Sequence, residues 1–152
     1  MWVLLPVTLT SSRVQGVIRG DILEGSLVIE VDDRTFHIQV ETSTIPAVVM
    51  FYSPTCVHCR AMMPYYTRYS QEYKDKVLFA RIDVSVNLWT GERYGVKGTP
   101  TFKFFCSGRP VTELVGAVYP AILKRTVEEV LIHGKECVTK STEINYDITG
   151  YG

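Results

Sequence analysis

The chain has 152 residues, in which 16 lysines and arginines balance 16 aspartates and glutamates. That length suits one domain with a sizeable core and some appended material. The balanced charge gives no reason to expect nucleic acid or an anionic membrane surface as a partner. No apolar run approaches the length needed to span a bilayer, and four cysteines are too few for a disulfide scaffold.

Met1 to Val7 is apolar, but no basic segment precedes it and Pro6 cuts it short. No small-residue cleavage site follows cleanly, so the stretch reads as mature sequence, and the expectation is a cytoplasmic protein. Val14 to Asp21 reads as a short strand and turn, punctuated by Gly20-Asp21 and Glu24-Gly25, in an arm packed on the main domain. Residues 1–24 are expected to be an N-terminal extension, 25–134 the main domain and 135–152 a polar tail.

From Gly25 the pattern sharpens. Leu27 to Val31 reads as a strand, and Asp32-Asp33 can cap a short helix through Val40 with Phe36 and Val40 on one face. Ala47 to Tyr52 is an uncharged apolar run of strand length, the signature of a buried strand. Ser53-Pro54-Thr55 interrupts it with turn chemistry, and Thr55 is placed to cap a helix whose first turn holds Cys56, Val57, His58 and Cys59. Two cysteines at i and i+3 share a helix face and can bond to each other. The free N–H groups and partial positive charge of a helix N-terminus favour a thiolate, the reactive form of cysteine. This is the arrangement of a redox nucleophile.

That helix is expected to run to Tyr73 or Lys74, kinked at Pro64, with Met62, Tyr66, Tyr69 and Tyr73 toward the core and Arg68, Gln71, Glu72 and Lys74 toward water. Val77 to Val84 is the next strand, followed by a helix from Leu88 to Tyr94 ended by Gly95. Phe102 to Phe105 and Val111 to Val115 read as a hairpin turning at Ser107-Gly108-Arg109-Pro110. Tyr119 to His133 is amphipathic, with Ile122, Val127, Val130 and Leu131 for the core and Gly134 as its stop. Strands linked through helices pair in parallel, and the last two strands form a hairpin. The order implies an α/β fold, a three-layer α/β/α sandwich with a mixed central sheet.

The chain resembles the thioredoxin superfamily from about Gly25 to His133. The residues that carry the resemblance are Phe51-Tyr52-Ser53-Pro54-Thr55-Cys56-Val57-His58-Cys59, Pro64 eight residues after Cys56, and Gly98-Thr99-Pro100-Thr101, whose proline stands 44 residues after Cys56. Gly108 and Gly116 also fall where the family has glycines. The resemblance implies the thioredoxin fold and a thiol–disulfide oxidoreductase that uses no cofactor and no metal. In it Cys56 is the attacking thiol and Cys59 the resolving one. It also implies a cis Thr99–Pro100 bond facing the cysteines, with the Thr99 backbone free to pair with an extended substrate strand. The partners implied are protein substrates with thiols or disulfides, and a redox partner such as a reductase or a glutathione-like thiol. With His58 beside Cys56, the motif looks more like that of protein disulfide isomerases than of reducing thioredoxins. An imidazole there stabilises the thiolate, which favours the dithiol and makes the disulfide a better oxidant.

Three positions depart from the family pattern. Thr55 stands where a tryptophan often precedes the first cysteine, which alters a substrate-contact surface. Met50 stands where the family often has a buried acid that accepts the proton of the resolving thiol. The basic residue usually near that acid is Arg81; Asp83, of the same strand parity, is a candidate substitute acceptor, but pairing with Arg81 is its expected role. Cys106 and Cys137 lie outside the motif, and the resemblance puts both at the pole away from Cys56; two separate buried thiols are expected, with a structural disulfide between them as the alternative. His37 and His133 are expected to be surface residues.

Three other classes compete with the disulfide isomerase reading. A zinc site on Cys56, His58 and Cys59 lacks a second ligand pair at suitable spacing. A chaperone-like module binding unfolded chains would use the same surface. A thioredoxin-like general reductant or electron donor shares the same motif.

Overall fold

The computed structural model describes residues 25–140, with side chains described through Gly134. The expectations for Met1 to Val7, for the arm at Val14 to Asp21 and for the tail beyond Lys140 lie outside the described residues. The five strands are β1 (Ile29–Val31), β2 (Ala47–Tyr52), β3 (Leu78–Asp83), β4 (Thr101–Cys106) and β5 (Arg109–Val115). The helices are α1 (Val57–Glu72), α2 (Leu88–Arg93) and α3 (Pro120–Lys140). The sheet order is β1-β3-β2-β4-β5. Strands β1, β3 and β2 run parallel, whereas β4 is antiparallel to both β2 and β5. Among the described residues no helix is long and apolar enough to cross a membrane.

Alternation along the strands builds two cores. Val48, Met50, Phe79, Phe102 and Phe104 face α1 and α3, where they meet Met62, Tyr66, Leu123 and Val127. Val49, Phe51, Ala80, Ile82 and Phe105 face the other way, against Phe36 and Val40. Strand β2 is therefore buried on both faces, which is why it carries no polar alternation. Tyr66 reaches from α1 to the sheet, and its hydroxyl donates toward the carbonyls of Val48 at 2.9 Å and Ala80 at 2.6 Å. That pins α1 over the seam between β2 and β3.

Two expectations for α3 are corrected. Its buried stripe is Leu123, Val127 and Val130, while Ile122 is exposed. Spacings of four and three keep that stripe on one face, and Ile122 falls one residue off it. Gly134 does not end α3, which continues to Lys140. A Cβ at Gly134 would stand 3.2 Å from Pro46 Cγ, so the glycine serves a close approach rather than a stop.

The helix expected from Asp32 to Val40 is a five-residue π-helical turn, His37–Glu41. Asp32 makes the expected cap one step earlier, its Oδ1 accepting from the N–H groups of Arg34 at 2.9 Å and Thr35 at 2.8 Å. Asp33 reaches across to α2, accepting from Thr90 N–H at 2.9 Å and Thr90 Oγ1 at 2.6 Å. This supplies in trans the cap that α2 lacks from its own Asn87.

Glu41 ties the π-turn to α2. Its carboxylate accepts from the Tyr94 hydroxyl, contacts His37 Nδ1 at 2.6 Å and pairs with Arg93 at 2.8 Å. Burial pushes the Glu41 carboxyl up, but the Tyr94 and His37 hydrogen bonds and the Arg93 charge outweigh it and hold the group below its ordinary 4.5. A carboxylate depressed in the fold contributes stability above its unfolded value and loses it as pH falls through the folded one. Glu41→Gln is therefore expected to lower stability at pH 7 by about 1–2 kcal/mol. It should also flatten the loss on acidification below about pH 4.5. Urea titrations of both proteins between neutral and acid pH check this.

Cys106 ends β4 at the pole opposite the CxxC, as expected, and is buried. It is disulfide-bonded, and no free cysteine is found among the described residues, so the expectation of a separate thiol is overturned for it. At the same turn Gly108 adopts φ +78°, and a Cβ there would overlap the backbone carbonyl of Glu41. Only glycine fits that approach.

Candidate active site

The C-terminal end of β2 delivers the motif. Ser53 O accepts from Cys56 N–H at 3.1 Å, closing the turn. Cys56 itself, in extended backbone geometry at φ −79° and ψ 108°, is the N-cap of α1. Its Sγ accepts from Cys59 N–H at 3.1 Å. Thr55 is thus not the cap: its hydroxyl is paired with that of Ser53 at 3.1 Å. The correction strengthens the chemistry, because the sulfur rather than a threonine oxygen meets the free N–H groups of the first turn.

Cys56 and Cys59 are joined in a disulfide with Cα atoms 5.2 Å apart. Cys56 is half-buried and Cys59 is 2% exposed. A partly accessible sulfur at the cap and a covered one a turn further in can form and then resolve a mixed disulfide in sequence. His58 lies on the exposed side of the same turn, and among the described residues no hydrogen bond joins it to Cys56 Sγ in this oxidised state.

The β2–β4 register sets Phe51 opposite Thr101. The preceding Thr99–Pro100 bond, which is cis, therefore sits at the same sheet edge as the Ser53–Cys56 turn. Pro100 is buried and Thr99 is half-buried. Pro100 O accepts from Gly116 N–H at 2.7 Å, which ties the loop after β5 to the site. Sequence reasoning located Gly116 as a strand end and missed this link, because nothing local announces a contact between residues sixteen apart. It also missed an apolar rim at this end, formed by Val57 at 68%, Val115 at 64% and Tyr119 at 79% exposure.

The charges on β3 depart from expectation. Met50 is fully buried and lies in register with Arg81. Arg81 does not pair with Asp83. Its Nε donates to Glu30 Oε2 at 2.5 Å, because Glu30 is its direct cross-strand neighbour on β1. Asp83 Oδ1 instead accepts from Ser85 N–H at 2.9 Å and Ser85 Oγ at 2.6 Å. The Tyr52 hydroxyl donates to Glu30 Oε1 at 2.6 Å, and the Arg81 guanidinium lies 5.0 Å from the Tyr52 ring centre. Burial first, then the Glu30 carboxylate, pushes the Tyr52 phenol well up, so it stays a donor. Among the described residues no cluster of three or more His, Cys, Asp or Glu could hold a metal ion.

The thioredoxin family model matches residues 27–129. Thioredoxin 1 of Nostoc sp. is 32% identical over 106 residues, covering 70% of this chain and 99% of that protein. Thioredoxin of Synechocystis sp. is 34% identical over 102 residues, covering 67% and 95% respectively. Protein disulfide-isomerase A6 of Mus musculus is 37% identical over 123 residues, covering 78% of this chain but 28% of that protein. A family match over most of the described fold, centred on a bonded Cys56–Cys59 pair at a helix cap, shows that the chain belongs to the thioredoxin family of thiol–disulfide oxidoreductases.

Proposed function

We propose that the chain exchanges thiols and disulfides on protein substrates with the oxidising or isomerising bias of a disulfide isomerase. The observation that carries this reading is the sulfur of Cys56 at the α1 cap with an imidazole two residues on. In the exchange, the Cys56 thiolate attacks a substrate disulfide and the departing substrate sulfur takes the bond's electron pair. Cys59 then attacks Cys56, releases the second substrate sulfur and closes the Cys56–Cys59 disulfide. The two cysteines are oxidised and the substrate disulfide is reduced; the reverse sequence oxidises a substrate dithiol. The apolar rim of Val57, Val115 and Tyr119 suits an unfolded or extended protein segment, with Thr55, Thr99 and Pro100 along its path. A reductase or glutathione-like thiol resets the pair.

The second reading, a general reductant, is favoured by similarity to thioredoxins along nearly their full length. The reduction potential separates the two. Equilibrated against glutathione, the Cys56–Cys59 pair is expected near the isomerase range of about −180 mV, not the thioredoxin value of about −270 mV. His58→Pro should move it to more negative values, by about 30 mV for each tenfold loss of thiolate stabilisation. A wild-type potential near that of thioredoxins, unchanged by His58→Pro, would decide for the reductant.

A further inference from the structure

Strand β5 closes one side of the sheet, and among the described residues it pairs only with β4. Six of its seven residues are exposed, and Leu114 alone is half-buried. One end fixes its hydrogen-bonding phase. Gly116 N–H donates to Pro100 O at 2.7 Å, so Pro100 and Gly116 form a bonded pair. Bonded and non-bonded pairs alternate along an antiparallel ladder. Thr101 opposite Val115 and Lys103 opposite Glu113 are therefore non-bonded pairs. The N–H and C=O groups of Glu113 and Val115 point away from β4, toward solvent. Native sheets blunt such edges with proline and bulges. Here Pro110 and the register skip at Val111 blunt only the half of β5 remote from the cysteines. The half next to Gly116 is left able to pair.

The face beside that open edge is apolar. Glu113 turns to the other face of the sheet, where it pairs with Lys103 at 2.5 Å. Thr112 and Leu114, opposite Phe104 and Phe102, turn toward α3. Between them and Thr126 and Val130 of α3 runs a groove of about 290 Å³, which Val111 also lines. Glu129 on its wall is paired with Arg125 at 2.9 Å. Ile122, 45% exposed, stands one turn before Thr126 on the same helix face, and Tyr119, three residues earlier, belongs to the apolar rim beside Cys56. Edge and groove thus continue the surface of the exchange site. We propose that the open edge of β5 and the β5–α3 groove bind an extended segment of an unfolded protein substrate as an added strand, while the substrate's cysteine is engaged at Cys56. This rests on the exchange reading above.

The geometry defines the segment. In an added antiparallel strand, residues opposite Glu113 and Val115 exchange backbone hydrogen bonds with them, and residues opposite Thr112 and Leu114 place their side chains over the groove. The main chain supplies the affinity and the groove supplies the preference. The added strand would lie three strand spacings from β2, about 14 Å, which about four extended residues cross. The segment therefore carries two aliphatic or β-branched side chains two residues apart, roughly four to eight positions from its cysteine. A folded protein withholds such a backbone, and a glutathione disulfide is too short to reach it. The contact is separate from the Thr99 backbone and lies on the far side of β5 from it.

The probes are peptides whose single cysteine is held as a mixed disulfide with 2-nitro-5-thiobenzoate. The Cys56 thiolate attacks the peptide sulfur, the Cys56–peptide disulfide forms, and the coloured thiolate leaves with the electron pair of the broken bond. The full chain, reduced only at Cys56–Cys59, is mixed in stopped flow with peptides of about twelve residues that alternate valine with threonine or lysine, with cysteine at the first or the last position. Versions of about four residues and the glutathione mixed disulfide are the references. At least one long peptide should react about tenfold faster than its short version. Glu113→Pro removes an outward N–H and no ladder bond, and Thr126→Trp fills the groove; each should lose most of that gain. Glu113→Gln, which removes only the ion pair, should keep it. All three variants should react with the glutathione mixed disulfide as the unmodified chain does, which also reports that they fold. A gain that survives Glu113→Pro or Thr126→Trp, or no dependence on peptide length, would overturn the proposal. So would a dimer in sedimentation that Glu113→Pro makes monomeric, since the edge would then belong to a second copy. A length effect seen only after residues 141–152 are removed would assign the edge to the chain's own C-terminal segment and overturn the proposal as well. No reaction of the unmodified chain with the glutathione mixed disulfide would overturn the exchange reading itself.

Discussion

Cys59→Ser is expected to accumulate a covalent adduct with a scrambled disulfide protein, and Cys56→Ser is expected to form none. The half-buried Cys56 sulfur sits at the α1 cap, accepts a backbone N–H at 3.1 Å and faces the sheet edge where Pro100 lies. Cys59, at 2% exposure, is shielded from a substrate disulfide and acts on the Cys56 sulfur once that is in a mixed disulfide. Removing the second thiol leaves attack intact and blocks resolution, while removing the first removes the nucleophile. Turnover in either variant should fall on the order of 10³-fold or more. Non-reducing gels after acid quench, with peptide mapping of the adduct, read the result. Omitting added reductant keeps the Cys106 disulfide closed, so it supplies no stray thiol. Adducts mainly in Cys56→Ser would reverse the roles, and adducts in neither would end the exchange reading.

Met50→Asp should be the most damaging single change in the core. Met50 is fully buried between β3 and β4, and the one cation in its row, Arg81, is already held by Glu30. An ionised carboxylate there lacks water and an uncommitted partner, so it costs about 4 kcal/mol at neutral pH or takes up a proton. The folded-state pKa of such an acid is raised, so the cost grows as pH climbs above the unfolded value of about 4 and fades below it. Met50→Leu, which conserves volume, should cost less than about 1.5 kcal/mol at any pH. Urea unfolding of both variants at acid and neutral pH measures the difference. A Met50→Asp protein equally stable at both would show that Arg81 leaves Glu30 for the new carboxylate.

Much of this chain is legible before any coordinates. The β2 run, the cysteines four and seven residues beyond it and the tyrosine stripe of α1 are local patterns, and local patterns report secondary structure and the face it buries. Phe36 and Val40 were legible as a buried pair even though the backbone around them makes a π-turn rather than a helix. The cap was misplaced by one residue, because Thr55 and Cys56 both carry an acceptor and only the turn closed by Ser53 decides between them.

The partners of the β3 charges are of another kind. Arg81 has carboxylates at Asp83 on its own strand and at Glu30 on another, and sequence distance favours the first. The β1–β3 register places Glu30 directly beside Arg81, while the turn after β3 draws Asp83 to Ser85. Asp33 capping α2 and Gly116 binding Pro100 are contacts of the same type, made between segments far apart in the chain. The sequence by itself determined the redox pair, the helix that carries it and the layers that bury it, since hydrophobic period and turn chemistry act over a few residues. Only the tertiary structure decided which carboxylate meets Arg81, because strand order and register bring together side chains that no local pattern relates.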